Sequence, residues 1–312
     1  MVEVSGPVWK LFGCAVAVRR TLTRPIHEPK LDCGAALTGS RLPMRIGTKD
    51  CRHGKLSYLL NDAYIGRSLD VYGEYSEGEL ELFRQLLRPG DVAVDAGANI
   101  GALTVGMARL VAPGGAVVAF EPQRTIFEIL CDNLRANGLT NVTAYRRAAG
   151  SKPGTIRVPP LDYAQAENFG GVALGSAQGD EVEVVTLDSL GLPRLRLLKV
   201  DVEGMESDVV AGARATIARL QPALYVENDR ADRSQRLISL LFEIGYRLWW
   251  HITPLFNAQN FFRYPHDIFG NVVSFNMIGF PRRDPPAIQL PEILSPDDFA
   301  GQPGALARRE NR

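Results

Sequence analysis

Short apolar runs alternate with longer amphipathic stretches through most of this chain. The runs at 92–95, 116–120, 141–146, 196–200, 222–227 and 246–250 are short, continuous and rich in Val, Leu and Ala, as buried strands are. Between them the apolar positions recur at helical spacing over 100–111, 124–137, 205–219 and 232–244. Pro113-Gly114-Gly115 turns the chain into the second strand, and Asn137-Gly138 closes the second helix. A last apolar run at 271–280 reads as a final edge strand. Repeated strand–helix units predict an α/β fold, doubly wound and mostly parallel, with helices on both faces of one sheet.

The pattern weakens on both sides of this block. Residues 1–45 carry scattered Pro, Gly and Arg with little periodicity and are assigned to an N-terminal arm or accessory element. Residues 56–90 hold several tyrosines and then a helix after Ser76, with Glu79 in the capping-box position. Residues 150–180 are rich in Gly and Pro and read as an inserted hairpin or a mobile loop over the site, with a strand at 181–186 pairing inside it. Prolines and charges dominate 282–312, which is assigned as a disordered tail. The domain itself is therefore placed at 46–281.

Composition removes several functions. The chain of 312 residues carries 35 Lys and Arg against 35 Asp and Glu, so no global field draws it to nucleic acid. The apolar stretch at 8–18 contains Lys10 and is too short to span a bilayer, and no cleavage site follows it. Cys14, Cys33, Cys51 and Cys131 form no C-x-x-C pair and no cluster with zinc spacing. The expectation is a cytoplasmic protein with reduced thiols and no resident metal.

The chemistry concentrates at strand ends. Val92-Ala93-Val94-Asp95-Ala96-Gly97-Ala98-Asn99-Ile100-Gly101 reads as a strand, a glycine turn and a helix start. Glu121 ends the next strand, where a Rossmann-type fold places the carboxylate that holds ribose hydroxyls, about 20 residues on. The dinucleotide fingerprint is Gly-x-Gly-x-x-Gly; here an asparagine takes the middle position and an acid precedes the turn. An acid there repels a pyrophosphate and suits an ammonium. The adenosine cofactor without phosphate that carries a charged amino acid is S-adenosylmethionine.

Three further strand ends are polar. Lys199-Val200-Asp201-Val202-Glu203-Gly204 places two acids beside the turn, one side of an extended segment carrying both. They could hold a cofactor, take a proton, ligate a divalent metal or cap the next helix. Glu227-Asn228-Asp229 ends the next strand, as a substrate contact or a helix cap. His251 follows Trp249-Trp250 at another strand end. Asp201, Glu203 and His251 are the candidate general bases, in that order.

These motifs resemble the FkbM family of S-adenosylmethionine-dependent methyltransferases. The matching residues are Asp95-Ala96-Gly97-Ala98-Asn99-Ile100-Gly101, Phe120-Glu121-Pro122, Thr186-Leu187-Asp188-Ser189-Leu190, Lys199-Val200-Asp201-Val202-Glu203-Gly204 and Glu227-Asn228, in a region of roughly 56–280. The resemblance implies a class I methyltransferase fold with an antiparallel last strand. It implies O-methylation of a small-molecule or glycan acceptor, such as a sugar or natural-product hydroxyl. By position, Asp95, Gly97, Asn99 and Gly101, with Ala98, would wrap the methionine and ribose side. Glu121, with Pro122, would hold the ribose hydroxyls, and Asp201 would lie near the sulfonium. Thr186 to Leu190 reads as a structural strand-to-turn signal. The rival readings are a nicotinamide-dependent oxidoreductase, a non-catalytic cofactor-binding module and a metal-assisted methyltransferase.

Overall fold

The computed structural model describes residues 44–283 and 285–299. The expected arm at 1–45 lies outside them, except for its last two residues. The chain opens with an antiparallel hairpin of β1 (Ile46–Cys51) and β2 (Gly54–Leu59), followed by α1 (Ile65–Tyr72) and α2 (Glu77–Leu86). The alternating block then runs β3 (Val92–Ala96), α3 (Ala102–Val111), β4 (Ala116–Phe120), α4 (Arg124–Ala136) and β5 (Val142–Tyr145). A small three-stranded sheet interrupts it: β6 (Ala148–Ala149), β7 (Gly154–Val158) and β8 (Asp180–Val185), with β8 in the centre. The expected pairing of 181–186 within the insertion is observed.

After a short 3-10 turn at Leu187–Leu190, the block resumes. It comprises β9 (Leu197–Val200), α5 (Glu206–Ala211), α6 (Arg214–Leu220), β10 (Ala223–Glu227), α7 (Ala231–Glu243), β11 (Tyr246–Pro254), β12 (Val273–Pro281) and β13 (Glu292–Ile293). The helix expected over 205–219 is two helices. Gly212 lies at the break because its α-carbon packs on a backbone: an added Cβ would stand 2.0 Å from the Gly150 carbonyl oxygen. Asp188 accepts from the backbone of Thr216 at 2.7 Å and Ala215 at 3.1 Å, so the Thr186–Leu190 motif caps α6 as a structural signal.

The main sheet has the order β13-β11-β12-β10-β9-β3-β4-β5. Strands β3, β4, β5, β9 and β10 are parallel neighbours, and β12 is antiparallel to both β10 and β11. The final strand is not an edge, as its position in sequence suggested; it is threaded between β10 and β11. Its nine-residue ladder with β11 satisfies backbone groups that an edge would leave unpaired. Nor does the fold stop at 281. Ile293 is buried on β11, and Arg247 forms a forked pair with Glu292 at 2.8 and 2.9 Å. Part of the expected tail is therefore packed.

Helices α2 and α3 cover one face, with Phe83 and Met107 packed on Ala93, Leu197, Tyr225 and Ile278. Helices α5 to α7 cover the other, with Val209, Ile217 and Leu237 packed on Val94, Leu198, Leu224 and Met277. The order reverses between β3 and β9. Beyond the carboxyl ends of those two strands lies the crevice where open α/β sheets bind ligands.

Candidate functional site

A cavity of about 400 Å³ occupies that crevice. Its floor is the glycine turn after β3. Gly97 has φ +86°, and a Cβ added to it would stand 1.6 Å from the Asp201 carbonyl oxygen. Only glycine lets the β3 turn and the end of β9 approach so closely. The turn is tied down by Gly97 N–H and Ala98 N–H, which donate to the Phe120 carbonyl at 3.0 and 2.9 Å. Asn99 takes the left-handed conformation at φ 48°, one that asparagine tolerates, and its Oδ1 accepts from Ile100 N–H at 2.8 Å.

Glu121 closes one end of the cavity. Its carboxylate is buried and accepts from Asn99 N–H at 3.0 Å and Gln123 N–H at 2.8 Å. Burial pushes its pKa up to about 7 against the pull of those two donors. One acid thus spans the turns after β3 and β4, and Pro122 lines the wall beside it.

The other end holds Asp201, Glu203 and Glu227. Oxygens of these three lie within 4.8 Å of one another, close enough to share a divalent cation. Asp201 and Glu203 do not meet through strand alternation, as their spacing suggested. The strand ends at Val200, and the chain turns through Glu203 at φ 57°. Nor do they cap α5. Glu206, the first residue of α5, instead ties down the turn before the helix, accepting from Gly204 N–H at 2.8 Å and Val202 N–H at 3.2 Å. Glu203 pairs with Arg230 at 2.6 Å. Burial, then repulsion from Asp201, raises its pKa to about 7 despite that pairing. Burial and both neighbouring acids push Glu227 well above the usual carboxylate range, and its Oε2 has no hydrogen-bond partner.

Lateral register explains the groups behind this end. Asp95, Lys199 and Tyr225 are side by side on β3, β9 and β10, so their side chains share the face under α2 and α3. Glu227, Asn276 and His251 form the next row. Lys199 is buried, with Nζ 2.9 Å from the Gly97 carbonyl oxygen, 3.1 Å from Asp95 and 3.4 Å from Asp201. Burial opposes its charge, but the carboxylates of Asp95, Asp201 and Glu79 outweigh that and hold it above the ordinary lysine value.

Gly97, Ala98, Asn99, Glu121, Pro122, Asp201 and Glu203 all line the cavity. Three expected site residues do not. Asp95 is fully buried beneath the turn, held by Thr104 Oγ1 at 2.6 Å and by Lys199, and supports the floor from below. Gly101 stands at the start of α3 against Leu130. His251 is set back from the cavity, its Nδ1 bonded to Tyr225 Oη at 2.9 Å, and burial lowers its pKa to about 4. The half-buried His251 thus has one ring nitrogen engaged by Tyr225 and stands outside the cavity lining.

Two participants had no role in the sequence reading. Lys199 was visible only as a letter in its motif. Glu79 looked like half of a capping box; instead Ser76 adopts the left-handed conformation and its hydroxyl donates to Glu79 Oε1 at 2.6 Å. Asn276 donates to the same oxygen at 3.3 Å, and burial raises the pKa of Glu79 to about 7.

A doubly wound sheet with this strand order, one inserted antiparallel strand and a cavity at its switch point is the class I methyltransferase fold. Sequence comparison agrees. The Methyltransferase FkbM domain matches residues 95–248. The 31-O-demethyl-FK506 methyltransferase FkbM of Streptomyces tacrolimicus is 30% identical over 203 residues, covering 54% of this chain and 78% of that protein. The methyltransferase sdnD of Sordaria araneosa is 30% identical over 156 residues, covering 38% of this chain and 59% of that protein. A solved methyltransferase FkbM from Methylobacillus flagellatus KT aligns over 64% of this chain and 50% of that one, with 20% identity and a TM-score of 0.39. This chain belongs to the FkbM methyltransferase family.

Proposed function

We propose that the protein is an S-adenosylmethionine-dependent methyltransferase acting on a hydroxyl of a small molecule or glycan, such as a sugar or natural product. The observation that carries this reading is the charge of the cavity wall. Five acidic side chains line it (Glu121, Asp201, Glu203, Glu227 and Asp229), of which Glu227 is held in its protonated form by burial, against three cations. Each cation is already engaged: Lys199 by Asp95 and Asp201, Arg230 by Glu203 and Asp229, and Arg147 by Glu183 at 2.8 Å. Such a wall suits a sulfonium and an ammonium and opposes a pyrophosphate, which weighs against the nicotinamide reading. The close approach of Gly97 to Asp201 fits the same group, because it leaves the turn free of side chains where the cofactor lies.

In this reading Gly97, Ala98 and Asn99 present backbone to the cofactor. Glu121 has lone pairs left for ribose hydroxyls, and Asp201 faces the positive end. When bound, S-adenosylmethionine supplies an electrophilic methyl group. The protein's part is to orient the acceptor hydroxyl and receive its proton. Asp201 and Glu203 are the proton acceptors proposed. Glu203, with a pKa near neutrality, is matched to that task. The approximation of Asp201, Glu203 and Glu227 also favours a metal-assisted variant, which sensitivity to chelators would reveal.

Calorimetric titration of S-adenosylmethionine and S-adenosylhomocysteine, beside NAD and NADP, tests the reading. Saturable binding of the first pair alone is expected. Binding of a nicotinamide cofactor, or of none of the four, would overturn it. With an acceptor in hand, Asp201→Asn and Glu203→Gln should each slow transfer; a base typically contributes 10²-fold or more.

A further inference from the structure

We propose that Lys199 is a specificity-determining residue: a buried cation in the cavity wall that sets how strongly the site prefers a positively charged methyl donor over its uncharged by-product. This inference rests on the methyltransferase reading above. Lys199 lies on β9, at the point where the strand order reverses, and lines the cavity directly. Its ammonium is shared among the Gly97 carbonyl, Asp95 and Asp201, so it joins the cofactor floor to the acid beside it. The two carboxylates in contact with it therefore share one cation between them. Glu79, on α2, is held by Ser76 and Asn276, and its charge acts on Lys199 through space.

The physical consequence concerns charge, not shape. The donor's sulfur is positive and the by-product's is neutral, while the rest of the two molecules is the same. With Asp201 in the wall and Asp95 beneath the floor both uncompensated, the site would hold the donor tightly in its ground state. That attraction disappears as the methyl group leaves, so it would lower the energy of the bound donor more than that of the transition state. A buried cation tempers it. Lys199 thereby limits over-tight donor binding while keeping the turn in place.

The test compares the dissociation constants of S-adenosylmethionine and S-adenosylhomocysteine for the full chain and three variants. Lys199→Met leaves two acids uncompensated. The affinity ratio should shift toward the charged ligand by roughly tenfold or more, the scale of one unit charge removed near another in a protein site. Lys199→Met combined with Asp95→Asn removes one charge of each sign, and the ratio should return to within about threefold of the unmodified protein. A purely structural lysine would weaken both ligands alike and leave the ratio unchanged in both variants, which overturns the proposal. Should either Lys199 variant fail to fold, Glu79→Gln at pH 8 removes one nearby negative charge. The ratio should then move the opposite way, and no movement counts against the proposal. If the unmodified protein binds neither ligand, the methyltransferase reading falls and this one with it. If it binds both and the ratio never moves, this inference alone fails.

Discussion

Gly97→Ala should be among the most damaging single-methyl additions in the protein. The added Cβ would stand 1.6 Å from the Asp201 carbonyl oxygen, where ordinary contact begins at 3.4 Å, so one backbone must retreat by about 1.8 Å. The obstacle is a backbone carbonyl just past the end of β9, not the tip of a flexible side chain. Moving it strains two hydrogen bonds, Asp201 N–H to Ala96 and Gly97 N–H to Phe120, both 3.0 Å. Each is worth about 1 kcal/mol. The left-handed backbone at φ +86° adds about 1–2 kcal/mol for any residue with a Cβ. The sum is about 3–4 kcal/mol, or roughly 10 °C in melting temperature for a domain of this size. The control is Gly138→Ala, also left-handed at φ +61° but with nothing within 4 Å of its Cβ. It should lose only the backbone contribution, about 1 kcal/mol. Thermal unfolding of both variants, with calorimetric titration of S-adenosylmethionine, measures the difference. Equal losses in the two variants, or full ligand affinity in Gly97→Ala, would refute the close-approach argument.

Three further outcomes follow from the same geometry. Glu79, Glu121 and Glu203 all have pKa values raised to about 7, so the folded protein binds more protons than the unfolded chain between roughly pH 4.5 and 7. Their contribution is present below that window and is lost as pH rises through it. Glu79→Gln should flatten the decline in melting temperature from pH 5 to 7.5, and an unchanged slope would remove Glu79 from the account. His251→Ala should cost about 1 kcal/mol through the lost Tyr225 hydrogen bond while leaving S-adenosylmethionine affinity within about twofold; a large affinity loss would place His251 in the site. Ile293→Ala should cost about 2–4 kcal/mol in denaturant unfolding because β13 is part of the packed sheet, whereas no loss would return 292–293 to the tail.

The local letters carried a good deal. Apolar runs and turn residues located β3, β4, β9 and β10, because a buried parallel strand must be apolar on both faces and a strand–helix turn must contain glycine. Spacing along the chain also placed Gly97, Glu121 and Asp201 at neighbouring strand ends. These features depend on neighbours in sequence or on a repeat the whole fold shares. What depended on distant pairing was not legible. Ser76 and Glu79 spell a capping box, yet Glu79 turns inward because Asn276, far along the chain, meets it beneath α2. His251 reads as a base at a strand end until Tyr225 is found against it. Strand β12 reads as an edge until β10 and β11 close on either side. The sequence by itself determined which segments are strands and helices and which acids stand at their ends. Tertiary structure alone decided which of those acids face the cavity, which are buried behind it and which cation neutralises them. Burial and lateral register are set by contacts between residues that no local pattern links.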